Sequence, residues 1–171
     1  YLLMGVVAGT ERGITAMLVY LFVYAFMQMG AFAVVILMHR KDLVGDDLKD
    51  LSGLYLRQPF AAFAMLLFML SLGGIPPTAG FMGKLFLLSA AWNRGYDWLV
   101  IVAAVNTAIS IYYYLNLIRH AYTVEAEGGS AVVRAGGRFW GGVLAALLLI
   151  LGALPAPVFK WAEAAGKQLM P

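Results

Sequence analysis

Apolar residues run along this chain in blocks far longer than an amphipathic surface helix or a strand would produce. The blocks cover about 14–38, 60–92, 98–118 and 139–158, with a shorter run at 1–8. A hydrocarbon core about 30 Å thick takes about 20 helical residues to cross. Four spans are therefore expected, preceded at 1–8 by the end of a partial one. No period-two alternation competes, and the runs exceed strand length. The expected fold is all-α: a polytopic transmembrane helix bundle.

The second block is too long for one straight span, and Gly73-Gly74-Ile75-Pro76-Pro77-Thr78-Ala79-Gly80 interrupts it. Prolines lack an N–H donor and clash with the preceding turn. Each also turns its predecessor, Ile75 or Pro76, away from the α region. Gly73, Gly74 and Gly80 remove the remaining restraint. This combination predicts a discontinuous helix, with a non-helical, protein-enclosed stretch at 73–80 joining two halves. Lipid cannot satisfy freed backbone groups, so they must face protein or water.

Composition agrees: 63% of residues are hydrophobic, 12% are charged and the mean hydropathy is +0.83. Soluble domains carry about 25% charge, so an integral membrane protein is expected. There is no cysteine, which excludes disulfides and thiolate metal sites, and His39 and His120 are too few and too far apart for a metal centre. The net charge of +3 comes from loop Lys and Arg and reports topology rather than nucleic-acid binding. Arg40, Lys41, Lys49, Arg57, Arg119, Arg134 and Arg138 fall on one side, against Arg12, Arg94, Lys160 and Lys167 on the other. Loops 39–59 and 119–138 are thus expected to be cytoplasmic. Leu48, Leu51, Leu54 and Tyr55 recur at helical spacing and predict a short amphipathic helix in the first loop. Residues 125–130 read as a flexible loop. Trp92, Trp98, Trp140 and Trp161 fall near span ends as belt residues, and the tail from Lys160 reads as interfacial. The run 1–8 reads as the last turns of a helix begun upstream, making 1–171 a single membrane domain from the C-terminal part of a longer chain.

Lys84 is the one ionisable side chain between Phe60 and Asn93. A charge at mid-span costs about 2.5–3.5 kcal/mol on insertion scales and by default marks function. From Lys84 to Arg94 is roughly 15 Å of helix, at about 1.5 Å per residue, so the lysine sits near the midplane. Two readings fit: a static pair with a carboxylate, or a proton-carrying amine set by its neighbours. Polar residues on adjacent spans fit the second. Tyr20, Tyr24 and Gln28 share a face of the first span, and Asn106, Ser110, Tyr113 and Tyr114 nearly do so on the third. Together they outline a hydrated path, although ordinary interhelical hydrogen bonding also accounts for each alone. His120, at a span end, is either an interfacial anchor or a point of proton uptake.

The string from Leu72 through Gly73, Gly74, Pro76, Pro77, Gly80 and Lys84 to Phe86 resembles the discontinuous helix of the antiporter-like subunits of respiratory complex I. Tyr24 to Ala33 and Ser110 to Leu115 carry the same resemblance, which extends over essentially the whole chain. The short tail departs from the L-type members, which continue into a long lateral helix, and the lysine departs from the M-type members, which carry glutamate there. Both point to the N-type branch; cation/proton antiporter and membrane-bound hydrogenase subunits share the motif. The resemblance implies the second inverted repeat of such a subunit, with Lys84 as the proton relay of a half-channel coupled to quinone reduction by NADH elsewhere in the complex. It implies no cofactor in this chain, with flavin, iron–sulfur clusters and quinone in partner subunits. Neighbouring antiporter-like subunits and the bilayer are the partners implied, in a bacterial inner membrane. A fragment lacking the first half-channel is not expected to pump alone.

Overall fold

In the computed structural model the residues described are 1–39, 48–123 and 135–169. All regular structure among them is helical: α1 (Leu2–Ala8), α2 (Glu11–His39), a 3-10 turn (Leu48–Leu51), α3 (Leu54–Arg57), α4 (Pro59–Gly73), α5 (Ala79–Trp92), α6 (Asp97–Thr123), α7 (Ala135–Ala153) and α8 (Ala156–Leu169). Among the described residues, α2 and α6 are each long and apolar enough to cross a membrane. The chain is an all-α integral membrane bundle in which α4 and α5 form a discontinuous helix.

The discontinuous helix is organised by α2. The apolar face of α2's second half, Val23, Met27, Ala31, Val34 and Met38, packs against Ala61, Met65, Phe68 and Leu72 of α4. Its first half packs on α5, with Ala16 and Tyr20 against Leu87. The two shorter helices therefore follow one another antiparallel along α2, as the halves of one broken span. Their 15 and 14 residues are each about 22 and 21 Å long, short of the core thickness singly. The junction lies beside Met27, close to the middle of α2. There Ser71 and Gly80 approach so closely that a Cβ on Gly80 would sit 1.9 Å from the Ser71 carbonyl oxygen. Gly30 gives the same access to the Phe68 ring. Helix α6 crosses the break from the other side, with Ile111 and Tyr114 beside Gly73, and leaves most of its length exposed.

Four expectations change. The break is narrower than 73–80: Gly73 is the last residue of α4, Ala79 and Gly80 open α5, and only 74–78 are non-helical. Nor is it wholly enclosed, because Pro76 and Pro77 lie on the surface of the described chain. The fourth block does not run straight to 158. It stops at Ala153, and α8 leaves at a bend of 79°. Pro155 has no N–H to continue the ladder and moves Leu154 out of the α region, whereas Pro157 falls in the first turn of α8, where no donor is needed. Val158 thus belongs to α8, which lays Val158, Ala162 and Gly166 on α2 and leaves Trp161 72% exposed. In the first loop the expected single helix is two short turns separated by Gly53, at φ +64°. Leu51 and Leu54 are buried, Leu48 and Tyr55 exposed, and Arg57 donates to the Asp50 and Ser52 carbonyls. Trp92 and Trp98 are exposed near span ends. Arg40, Lys41, residues 125–130 and Arg134 lie outside the described residues, as do the side chains of Lys49, Arg138 and Trp140.

Candidate functional site

A helix leaves its last four carbonyls without intrahelical donors. In α4 these belong to Leu70, Ser71, Leu72 and Gly73, and each one finds a partner. Gly74, at φ +79°, turns the chain left-handed so that its N–H reaches Leu70 and Ser71 (both 3.0 Å) and Ile75 N–H reaches Leu70 (3.0 Å). The remaining two carbonyls accept from Lys84: Nζ lies 2.8 Å from Leu72 O and 3.3 Å from Gly73 O.

Two features of the sequence place the amine there. Lys84 is the sixth residue of α5, and helical side chains lean towards their own N-terminus. Its four-carbon stem therefore points back at the break rather than out towards Trp92. Gly74 leaves room for it, since a Cβ there would fall 3.0 Å from Lys84 Cδ. The lysine is 6% exposed, and its hydrogen-bond partners are main-chain carbonyls at the negative end of a half-helix, not a carboxylate.

The start of α5 is fixed from the same side. Ser71 Oγ accepts the Gly80 N–H (3.1 Å) and donates to Met27 Sδ (2.9 Å), and Thr78 Oγ1 donates to Ile75 O (2.7 Å). Ser71 thus joins α2, α4 and α5 with one hydroxyl.

Tyrosines cover Lys84. Its Nζ stands over the Tyr1 ring, 4.9 Å from the centroid. Tyr1 meets Tyr20 at 6.0 Å, Tyr20 stacks on Tyr24 at 5.9 Å, and Tyr20 lies over Gly83, one residue before the lysine. Tyr114 approaches this group from α6. Of the expected path, Tyr20, Tyr24 and Tyr114 are therefore gathered with Lys84. Gln28 is half-buried further along α2. Asn106 and Tyr113 turn to the outer surface of α6, Tyr113 with 66% exposure beside Tyr112, and Ser110 bonds back to the Asn106 carbonyl (2.8 Å). His120 bonds the Asn116 carbonyl (2.9 Å) near the end of α6. Tyr1 and Ser71 carry no weight in the sequence pattern. Tyr1 stands alone at the head of a short apolar run, and a lone serine in an apolar block is ordinary. A cavity of about 480 Å³ lies elsewhere, between Glu11, Arg12, Thr15, Phe86, Asn93 and Glu163, away from the lysine.

Residues 1–110, which hold the break, Lys84 and the tyrosines of α2, match the family described as NADH:quinone oxidoreductase/Mrp antiporter, TM. The chain belongs to that antiporter-like family. Within it, the chain is 50% identical over 171 residues to NADH-quinone oxidoreductase subunit N 2 of Solidesulfovibrio magneticus, covering 100% of this chain and 36% of the relative. Its fold matches a chain of respiratory complex I from Thermus thermophilus with bound aureothin, with a TM-score of 0.74 and 33% identity, over 88% of this chain and 35% of that one. A chain of the Mrp complex from Dietzia sp. DQ12-45-1b matches with a TM-score of 0.83 at 19% identity, over 97% and 39%, and so shares the antiporter-like fold. The chain spans about a third of the length of these antiporter-like proteins. The Solidesulfovibrio relative carries the name subunit N, the branch to which the resemblance pointed.

Proposed function

We propose that this chain forms a proton-conducting half-channel in a membrane subunit of a proton-translocating NADH:quinone oxidoreductase, with Lys84 as the relay. The supporting observation is the Lys84 ammonium buried on the Leu72 and Gly73 carbonyls, at the junction of two half-helices. An ammonium has three N–H bonds, and two are engaged there. Loss of the third proton leaves an amine that still donates to both carbonyls, so charge can leave without stranding backbone groups. A fixed carboxylate partner would oppose that step, because separating a buried ion pair costs about 3–5 kcal/mol. Flavin, iron–sulfur and quinone chemistry belongs to partner subunits in this reading. The subunit sits in a bacterial inner membrane beside other antiporter-like subunits, with loops 39–59 and 119–138 on the cytoplasmic side.

The test is the Lys84 pair of substitutions in the full-length subunit, assembled in its complex. Lys84→Ala is expected to lower proton pumping in vesicles at least about tenfold. Assembly on native gels should fall only modestly, since each carbonyl left without a donor costs about 1–3 kcal/mol before water enters. Lys84→Arg should rescue only in part, because a guanidinium does not readily release its proton. Normal pumping by Lys84→Ala overturns the reading. A second reading, a subunit of a cation/proton antiporter working without redox coupling, is favoured by the fold shared with the Mrp chain. Co-purification with iron–sulfur subunits supports the first, and association with antiporter subunits alone supports the second.

A further inference from the structure

The two carbonyl contacts of Lys84 outlast its charge in weakened form, since a neutral amine still donates to both. Its third contact differs. The face of an aromatic ring attracts a cation through its quadrupole and gains nothing comparable from a neutral amine. At 4.9 Å from the centroid, the ammonium is within the roughly 6 Å reach of that attraction. Tyr1 is also fixed at its far end. Its hydroxyl donates to the Ala103 carbonyl (2.9 Å) and meets Thr107 Oγ1, both on α6. Thr107 in turn bonds Ala103 O at 2.9 Å. The ring thus stands on α1, is tied to α6, lies against Tyr20 of α2 and faces a charge on α5. Four helices meet on one side chain.

Resting on the Lys84 reading above, we infer that Tyr1 is the positioning residue for the charged lysine, holding the ammonium on the α4 carbonyls through its ring face and linking α1 and α6 to the presence of that charge. When Lys84 carries its extra proton, the ring and the α4 carbonyls hold the amine from two sides. When the proton leaves, the carbonyl bonds remain and the ring contact is lost, so the linkage from α5 to α6 through Tyr1 loosens. The hydroxyl and the ring do different things. The hydroxyl fixes where the ring stands, and the ring adds an attraction that the neutral lysine does not feel.

The experiment replaces Tyr1 by phenylalanine and then by mono-, di- and trifluorinated phenylalanines in the full-length subunit within its complex. Fluorination withdraws charge from the ring face while scarcely changing its size. Pumping should fall stepwise along the series, by about five- to thirtyfold in total, the range a desolvated cation–π contact supports. Assembly on native gels should stay level across it. A flat series overturns the inference, because a packing role depends on shape and a tether role is already lost in Tyr1→Phe. Lys84→Ala, assayed alongside, separates the two proposals. If it abolishes pumping while the series is flat, only the role of Tyr1 falls. If it pumps normally, the relay reading falls first.

Discussion

Two apolar stretches in this chain are interrupted by prolines, and the two interruptions do opposite things. At 74–78 the chain stops being helical, yet α5 resumes along the same partner, α2. At 154–155 the gap is shorter, but the direction changes by 79° and the chain leaves along the surface. The first interruption holds four carbonyls with assigned donors, a serine bridging three helices and a buried lysine. At the second, Leu154 is exposed, its N–H still bonds back to Ile150, and Phe159 N–H closes on Pro155 O. Proline therefore decides only that a helix ends. The side chain that reaches the freed carbonyls decides what the ending can do. The two breaks also touch, since a Cβ on Gly152 would lie 2.1 Å from Pro77 O, so the end of α7 braces the first break.

The largest effect is expected where the halves of the broken span meet. Gly80→Ala places a Cβ 1.9 Å from the Ser71 carbonyl oxygen, backbone against backbone, and neither side is a flexible side chain that can swing away. Overpacking of this kind costs about 3 kcal/mol or more. The halves must separate, breaking the Ser71–Gly80 bond that caps α5. Assembled complex on native gels should drop severely, and near-normal assembly would mean that the close approach is not needed for the break to form.

That close approach also shows what a reader of the sequence can and cannot extract. The break was legible because two prolines among three glycines have no helical solution, and Lys84 because a charge in a long apolar run has no cheap one. The extent of the break was not. Gly73 and Gly80 are permissive residues and do not say whether they are spent on a turn or on contact. Gly74 is the residue the left-handed turn requires, whereas Gly80 serves helix contact. The spacing of Asn106, Ser110, Tyr113 and Tyr114 defined a face of α6 but not which neighbour it meets, and only Tyr114 turns towards the lysine. Tyr1 was invisible because a cation–π contact across 83 positions leaves no local pattern. The α8 segment looks like a tail in the sequence because Pro155 and Pro157 sit among apolar residues that continue the block to 158, although Val158, Ala162 and Gly166 already recur at helical spacing.

A smaller effect, but one on function rather than assembly, is expected for Gly74→Ala. The left-handed conformation costs an alanine roughly 1–2 kcal/mol. The added methyl also meets Lys84 Cδ at 3.0 Å, so the lysine stem must move and the amine loses its seat on Leu72 and Gly73. Pumping should fall several-fold, on the order of tenfold per 1.4 kcal/mol of lost positioning, while assembly stays close to the parent level. Assembly falling in step with pumping would instead mark the turn as purely structural.

The smallest effect is expected at the second interruption, and it is the sharpest check on the contrast. Pro155→Ala with Pro157→Ala restores the donors and removes the steric reason for α7 to stop. Yet α8 is held by packing. Val158 and Ala162 are buried against Val19, Gly166 lies against Thr15, and Phe159 meets Phe86 edge-on at 4.1 Å. Straightening α7 into α8 would surrender all of these contacts to gain a few backbone bonds already satisfied at Leu154 and Phe159. The bend should therefore persist, seen as an unchanged distance between spin labels placed at Ala146 and Lys167. Pumping should stay within about twofold, the range of a substitution that disturbs no buried feature. A straightened helix with lost pumping would show that this interruption, too, is part of the transport path, and that a buried charge is not what distinguishes the working break from the structural one.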